Sequence, residues 1–348
     1  MAFCRPASNL SLSLRKIRPA ALCLLICLAL LPSASGAAET NAVIAAFRAM
    51  QMIAPRGLIA IVYDVQNQKI IASASDTAAR ADLFSPGSLM KVPSLLYLLA
   101  AGKLSAEYTY HCTGRYYPRG ESTLRDELIH EDVREPLAGQ WYTCSAAKGH
   151  GTVGAAEALA HSCNHYFMSL HALLESAADL RSFAEFCKSY GLAQISRRLL
   201  EIANVGALST RDRLHLSLGL PLRASVYEMT LFFAHLLRDD IAYPVGAAEA
   251  RRIVLDGMRL AGSIGTARAL GFQGKRTLLA KTGSGLLLNS IFKTNGWCVT
   301  AWPAHRPRIL LVSFVREGYG AGVPLVCSRY FWKILFSISA CGVPHSSD

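Results

Sequence analysis

The chain has 348 residues, is 52% hydrophobic and carries a formal net charge of +12. That length buries a full core, in one large domain or two intimately packed lobes. Basic residues are not interleaved with aromatic ones and no nucleic-acid motif is present, so nucleic acid is excluded as the partner. An anionic polymer or membrane surface of the cell envelope accounts for the charge.

Arg5, Arg15, Lys16 and Arg18 form a basic region, Ala20 to Leu31 is an apolar run, and small residues follow from Pro32 to Ala38. This order is that of an export signal over residues 1–38. The run falls short of the roughly 20 residues that span a bilayer, so cleavage near Ala38 is expected, with retention as an anchor the alternative. Cleavage removes four positive charges from the +12 and leaves +8 on residues 39–348. The expected location is the periplasm or the extracytoplasmic face of the inner membrane.

Residues 41–53 read as a helix, 57–64 as a buried strand and 69–74 as its returning partner. Residues 103–150 hold many charges and several Gly and Pro, and are too long for an ordinary connection. They read as a loop-rich insert. Helical patterns cover 153–174, 178–188, 224–238 and 247–260. Strands are expected over 277–284, 295–302 and 308–315, the last two joined as a hairpin, and 326–338 reads as a closing helix. A strand pair, many helices, three strands and a helix make an α+β chain, its sheet drawn from both ends of the sequence.

Of ten cysteines, seven lie beyond the signal: Cys112, Cys144, Cys163, Cys187, Cys298, Cys327 and Cys341. Export permits disulfides. Cys112 and Cys144 flank the insert and are the expected pair, with Cys163 free. Closing the segment between them would stabilise the fold by about 3–4 kcal/mol. His161 and His165 bracket Cys163 at one-turn spacing, but a fourth ligand is not evident, so neither a metal nor another cofactor is expected.

Four Ser-x-x-Lys matches occur: Ser13/Lys16, Ser88/Lys91, Ser145/Lys148 and Ser290/Lys293. Only Ser88/Lys91 has a helix start before it and an apolar helix after it. Ser85 is placed to cap, and Pro86 suits the first helical position. Leu89, Met90, Val92, Leu95, Leu96, Leu98 and Leu99 leave almost no polar face. A lysine entering such a core loses solvation and its pKa falls, which makes it a base for a serine one turn away. Pro93 is expected to kink the second turn. Ser162-Cys163-Asn164 is the only Ser-x-Asn. Ser162 and Asn164 do not share a helix face, so their joint use requires a loop or helix end. Lys281-Thr282-Gly283 ends a strand and is followed by Ser284-Gly285. A strand edge with Gly leaves backbone groups free for an added extended peptide.

The three motifs, in this order, resemble those of the penicillin-binding transpeptidases, a class B-like group within the penicillin-recognising serine enzymes. Leu255-Asp-Gly-Met258, Gly265-Thr-Ala267, Asn295-Gly-Trp297 and Gly149-His-Gly151 carry the same likeness, which runs from about Leu58 to Phe336. The resemblance implies an antiparallel sheet flanked by helices with a helical lobe, the serine β-lactamase/transpeptidase-like fold. It implies Ser88 as the acylated nucleophile, Lys91 as its base and Ser162 as the proton relay. It implies that Asn164 holds the substrate amide, that Lys281 and Thr282 bind its carboxylate, and that Gly283 and Ser284 line the strand. The backbone N–H groups of Ser88 and Ser284 would form the oxyanion hole.

The implied activity is that of a D,D-transpeptidase or D,D-carboxypeptidase on peptidoglycan stem peptides, with β-lactams as covalent inhibitors and a glycosyltransferase as a partner. A class D-like β-lactamase or penicillin sensor shares Phe84-Ser-Pro-Gly-Ser88 and Lys281-Thr-Gly283. That group carries Val where Asn164 stands, and a Tyr-Gly-Asn that Tyr190-Gly191-Leu192 does not supply. A non-catalytic envelope binding protein is the second alternative, opposed by the intact Ser88 and Lys91.

Overall fold

The strands alternate their side chains between two buried layers. Ile59, Ile61 and Tyr63 of the strand Ile59–Asp64 (β1) join one core cluster, while Ala60 and Val62 join another. Leu310, Val312 and Phe314 of Ile309–Val315 (β9) lie in the first cluster, and Ile309, Leu311 and Val315 in the second. Both faces of the sheet are therefore covered, which explains why these strands read as unbroken apolar runs. The structure, a computed structural model, describes residues 35–116, 142–174, 176–205, 208–241, 245–287 and 293–342. Most of the expected signal, and the larger part of the insert, lie outside the described residues.

Lys69–Ala74 (β2), Leu279–Leu286 (β7) and Thr294–Trp302 (β8) complete an antiparallel sheet of five strands in the order β2-β1-β9-β8-β7. Ile61 lies opposite Val312, and Lys281 opposite Val299. The sheet is thus built from both ends of the chain, as the sequence implies. Helices Ser35–Ile53 (α1) and Val323–Gly342 (α11) cover one face through Phe47, Met50, Phe331 and Trp332. Among the described residues no helix is long and apolar enough to cross a membrane.

The other face carries Lys91–Ala100 (α3) and Val226–Leu237 (α9), with Leu95, Leu96, Phe232 and Phe233 in its core. The helical lobe adds Ala155–Ala160 (α4), Asn164–Ser169 (α5), Ala177–Ser189 (α6), Ala193–Val205 (α7), Thr210–Ser217 (α8) and Val245–Ala261 (α10). Capping boxes open α6 (Ser176 with Asp179) and α9 (Ser225 with Glu228), so local chemistry fixes both starts. Asp76–Ala81 (α2) and the short strands Tyr110–Cys112 (β3), Arg115–Tyr116 (β4), Tyr142–Thr143 (β5) and Gly151–Val153 (β6) complete the chain, with β3 paired to β6 and β4 to β5. The residues of α7 and α8 carry no assignment from sequence.

Two expectations around the first motif are corrected. Gly87–Met90 is a 3-10 turn and the α-helix begins at Lys91. Pro93 therefore sits in the first turn, where its missing N–H would have had no partner anyway. Ser85 does not cap; its hydroxyl is buried without a hydrogen-bond partner.

Candidate active site

The first motif is pressed onto the edge strand β7. Gly87 adopts φ +50°, and a Cβ added there would lie 2.0 Å from the Ser284 carbonyl oxygen. Only glycine permits that approach. It seats Ser88, which is half-buried, beside the backbone of Ser284. Trp297 Nε1 donates to the Ser85 carbonyl at 2.8 Å and Asn295 Oδ1 accepts from Gly285 N–H at 2.9 Å. These two residues of β8 hold the serine turn and the end of β7 in register.

The second motif enters from a helix break. The segment read as one helix is split into α4 and α5, and Ser162 adopts φ +52° between them. This is the helix end that joint use of Ser162 and Asn164 requires. Cys163 N–H donates to the Ala158 carbonyl at 2.8 Å, fixing the break. The Ser162 carbonyl and hydroxyl and Asn164 Oδ1 all turn to one lysine. Lys91 Nζ donates to them at 2.8, 3.4 and 2.6 Å respectively.

Lys281, from β7, reaches the same hydroxyl: its Nζ donates to Ser162 Oγ at 3.0 Å and to the Thr282 carbonyl at 2.7 Å. Both lysines are wholly buried. Burial pulls the Lys91 pKa down to about 8, against a smaller opposing effect of the Cys144 and Cys163 thiols. Burial, then the neighbouring Lys91, holds Lys281 well below the usual lysine range. Lys91, Ser162 and Lys281 thus form one hydrogen-bonded chain that can carry a proton along it.

Further along β7, Thr282 Oγ1 donates to Thr266 Oγ1 at 2.6 Å, and the exposed Ser284 accepts from Gly320 N–H at 3.1 Å. A Cβ on Gly283 would lie 2.9 Å from Pro86 O and Leu89 Cγ, so this glycine admits the serine turn. The structure brings together Lys91, Ser162, Asn164 and Lys281, and lines up Ser88, Thr282, Gly283 and Ser284 beside them. Ser88 Oγ makes no hydrogen bond to Lys91 here; the ammonium is turned toward the second motif. Sequence reasoning gave no role to Thr266, Asn295 or Trp297, although Gly265-Thr-Ala267 and Asn295-Gly-Trp297 were signals.

A second cluster adjoins the Ser162 break. Cys112, Cys144, His150 and Cys163 place their donor atoms within 4.8 Å of one another. The expected Cys112–Cys144 bridge is not formed: both are free thiols, as is Cys163. Spacing in sequence put the first two together but could not show that Cys163 and His150 converge on them. Neither His161 nor His165 supplies the histidine of this set, though His165 Nδ1 lies 3.5 Å from Cys112 Sγ. Three buried thiols and a half-buried imidazole form a donor set suited to a tetrahedral, zinc-like cation. At Zn–S distances of about 2.3 Å, tetrahedral sulfurs stand about 3.8 Å apart; the Cys144 and Cys163 sulfurs are 3.9 Å apart.

The family model for the penicillin-binding protein transpeptidase domain matches residues 58–324. The chain belongs to this family. Among solved structures it is similar to PBP2 of Pseudomonas aeruginosa, with a TM-score of 0.66 at 16% identity, over 88% of this chain and 76% of that one. The D,D-transpeptidase domain of a peptidoglycan glycosyltransferase from Eggerthella lenta gives 0.62 at 16%, over 86% and 82%. PBP2 of Helicobacter pylori, in complex with MreC, gives 0.63 at 13%, over 86% and 63%. No curated protein matches by sequence. The transpeptidase family match spans β1 to the start of α11 and so takes in every motif of the site.

Proposed function

We propose that the protein is a D,D-transpeptidase or D,D-carboxypeptidase that acts on peptidoglycan stem peptides through an acyl-enzyme at Ser88. The observation that carries this reading is the chain Lys91–Ser162–Lys281, in which two buried lysines share one hydroxyl. With a pKa of about 8, roughly a tenth of Lys91 is neutral at pH 7, and neutral amine is the base the serine needs. In the reaction, Lys91 Nζ turns from Asn164 to take the Ser88 proton as Oγ attacks the substrate carbonyl. The backbone N–H groups of Ser88 and Ser284 receive the developing oxyanion; such donors are typically worth about 3 kcal/mol each. Ser162 passes the proton to the leaving amine, and Lys281 with Thr282 binds the substrate carboxylate. Water or an acceptor amine then releases the acyl group. β-Lactams would acylate the same serine.

The class D-like β-lactamase reading fits less well. It needs a carboxylated lysine in an apolar pocket, whereas three oxygens of the second motif surround Lys91 Nζ. The non-catalytic reading leaves two wholly buried lysines without a purpose, although burial of a charged amine costs several kcal/mol. We also place the protein outside the cytoplasm, with a glycosyltransferase as its partner, on the strength of the basic-apolar-small order of residues 1–38 and of its family. Incubation with a labelled penicillin and peptide mass spectrometry tests the reading. Label on Ser88, lost in Ser88→Ala and kept in Ser145→Ala, is expected. Label that survives Ser88→Ala overturns it.

A further inference from the structure

The cysteine cluster is tied directly to the second motif. Cys163 stands between Ser162 and Asn164, and both neighbours hydrogen-bond to Lys91. Its backbone is therefore flanked on both sides by residues that hold Lys91. The knot around it is tightly built. Cys144 N–H donates to the Gly114 carbonyl and His150 N–H to the Cys112 carbonyl, each at 3.1 Å. A Cβ on Gly149 would meet the Cys112 carbonyl oxygen at 2.0 Å. Cys144 Sγ lies 3.6 Å from His150 Nδ1 and 3.9 Å from Cys163 Sγ. The two sulfurs differ in access: Cys144 is 7% exposed and Cys163 0%.

We propose that Cys144 and Cys163 form a reversible disulfide that competes with a zinc-class cation for the Cys112, Cys144, His150 and Cys163 cluster, and that the exchange switches acylation of Ser88. The switching half rests on the transpeptidase reading; the exchange does not. The oxidant is an external disulfide, small-molecule or protein. The Cys144 thiolate, the more accessible, attacks one sulfur of it, forms a mixed disulfide and expels a thiolate. The Cys163 thiolate then attacks Cys144 Sγ, closes the Cys144–Cys163 bond and expels the second thiolate. Two electrons pass from the pair to the oxidant; both cysteines react as the thiolates that the cation holds, so the two released thiolates take their protons from solvent. The cation loses two of its four ligands and leaves.

A disulfide has an S–S length of about 2.05 Å, so the sulfurs must close by about 1.9 Å from their separation of 3.9 Å. Whatever part of that movement falls on the Cys163 backbone reaches its chain neighbours Ser162 and Asn164. Displacement of a positioning group by about 1 Å costs on the order of 100-fold in rate. In the cation-bound state the tetrahedral spacing of the sulfurs matches their present separation, so the second motif stays where Lys91 and Lys281 meet it.

The deciding measurements use the full-length wild-type protein, with one variant as a control. The reduced protein is loaded with zinc, desalted and treated with oxidised glutathione. Zinc content, free thiols, the disulfide map and the rate of penicillin labelling at Ser88 are followed together. The expected result is one zinc per chain, lost in step with two thiols. A Cys144–Cys163 linked peptide appears, labelling slows on the order of 100-fold, and reduction with added zinc restores all four readings. A Cys187→Ser control, which removes a buried thiol of α6 outside the cluster, should behave as the wild type. Zinc that stays bound, a map that joins another pair, or unchanged labelling once Cys144–Cys163 is complete overturns the proposal. If the reduced, zinc-loaded protein is never labelled, the transpeptidase reading has failed, and the exchange is decided by zinc release and the map alone.

Discussion

Lys91 Nζ donates to Asn164 Oδ1 across 2.6 Å, although 73 positions separate the two in sequence. A neutral amide in that place stabilises the ammonium far less than a carboxylate would. Lys91, the proposed base, therefore keeps the low pKa, about 8, that burial gives it. The acylation rate at Ser88 should rise with pH and level off above about 8, as Lys91 loses its proton. The same shift has a stability consequence. Lys91 is held below its unfolded value of 10.5, so the folded state binds fewer protons than the unfolded state between pH 8 and 10.5. The cost of burying the charge is present in full below about 8 and is relieved as the pH rises toward 10.5. Stopped-flow labelling from pH 6 to 10 checks the first statement; a rate that is flat or falls over this range contradicts it.

Asn164→Asp should move that profile. A carboxylate at hydrogen-bond distance favours the charged ammonium and raises the lysine pKa by one unit or more. Labelling at pH 7 should drop roughly tenfold or more, and raising the pH should recover part of it. Asn164→Ala removes the amide without adding charge and should leave the midpoint near its original place. Identical midpoints for wild type and Asn164→Asp would contradict the contact.

Gly87→Ala tests the seat of the serine. The added methyl would stand 2.0 Å from the Ser284 oxygen, and the backbone there is left-handed. The turn must lift off β7, which separates the two N–H groups of the proposed oxyanion hole. Labelling should fall on the order of 100-fold, while the melting temperature falls only by the several degrees that strain of about 1–3 kcal/mol implies. Full labelling by a stably folded Gly87→Ala protein would show that the two backbones need not touch.

Lys281→Met separates stability from function. Replacing a buried charge by an apolar side chain of similar length is often neutral or stabilising by about 1–4 kcal/mol. The variant should melt at or above the wild-type temperature. It should nevertheless lose most labelling, since Ser162 loses one of its two lysines. Thermal denaturation measured beside labelling decides it, and a large fall in melting temperature would mean that Lys281 is a structural ion after all.

Much of this was legible in the sequence, and the failures share one physical cause. The strands were readable because a sheet buried on both faces needs apolar runs such as Ile309 to Val315. The three motifs could be read as candidates because each sits in a distinctive backbone context. Ser162 and Asn164 could be seen to need a helix end, and the break at φ +52° supplies it. What misled was the partner that only tertiary structure brings. Cys112 and Cys144 are neighbours, as their flanking positions suggested, yet Cys163 and His150 complete a four-donor group with them. Pro93 looked disruptive only while the helix was taken to begin at Pro86; a 3-10 turn moves the start to Lys91. Thr266 was visible as a residue of a family-like segment, but its role appears only when its hydroxyl meets Thr282.

The lifetime of the penicilloyl adduct separates the two enzyme readings. A β-lactamase must activate water against its own acyl-serine, so it needs a base that is still competent after acylation. In the class D enzymes a carboxylated lysine fills that role. Here the Lys91 amine is enclosed by the Ser162 carbonyl, the Ser162 hydroxyl and Asn164 Oδ1 at 2.8, 3.4 and 2.6 Å. All three accept hydrogen bonds from an amine; the two carbonyl-type oxygens would face the carbamate oxygens with like partial charge. Lys281 reaches the same hydroxyl, its own proton affinity lowered by burial and by Lys91, but it supplies no carboxylate to activate water. No carboxylate is hydrogen-bonded to Ser162, Asn164 or either lysine among the described residues. The adduct at Ser88 should therefore last minutes or longer, and added bicarbonate, the source of the carbamate, should change neither labelling nor turnover. Stopped-flow hydrolysis that is fast and rises with bicarbonate would transfer the protein to the β-lactamase reading.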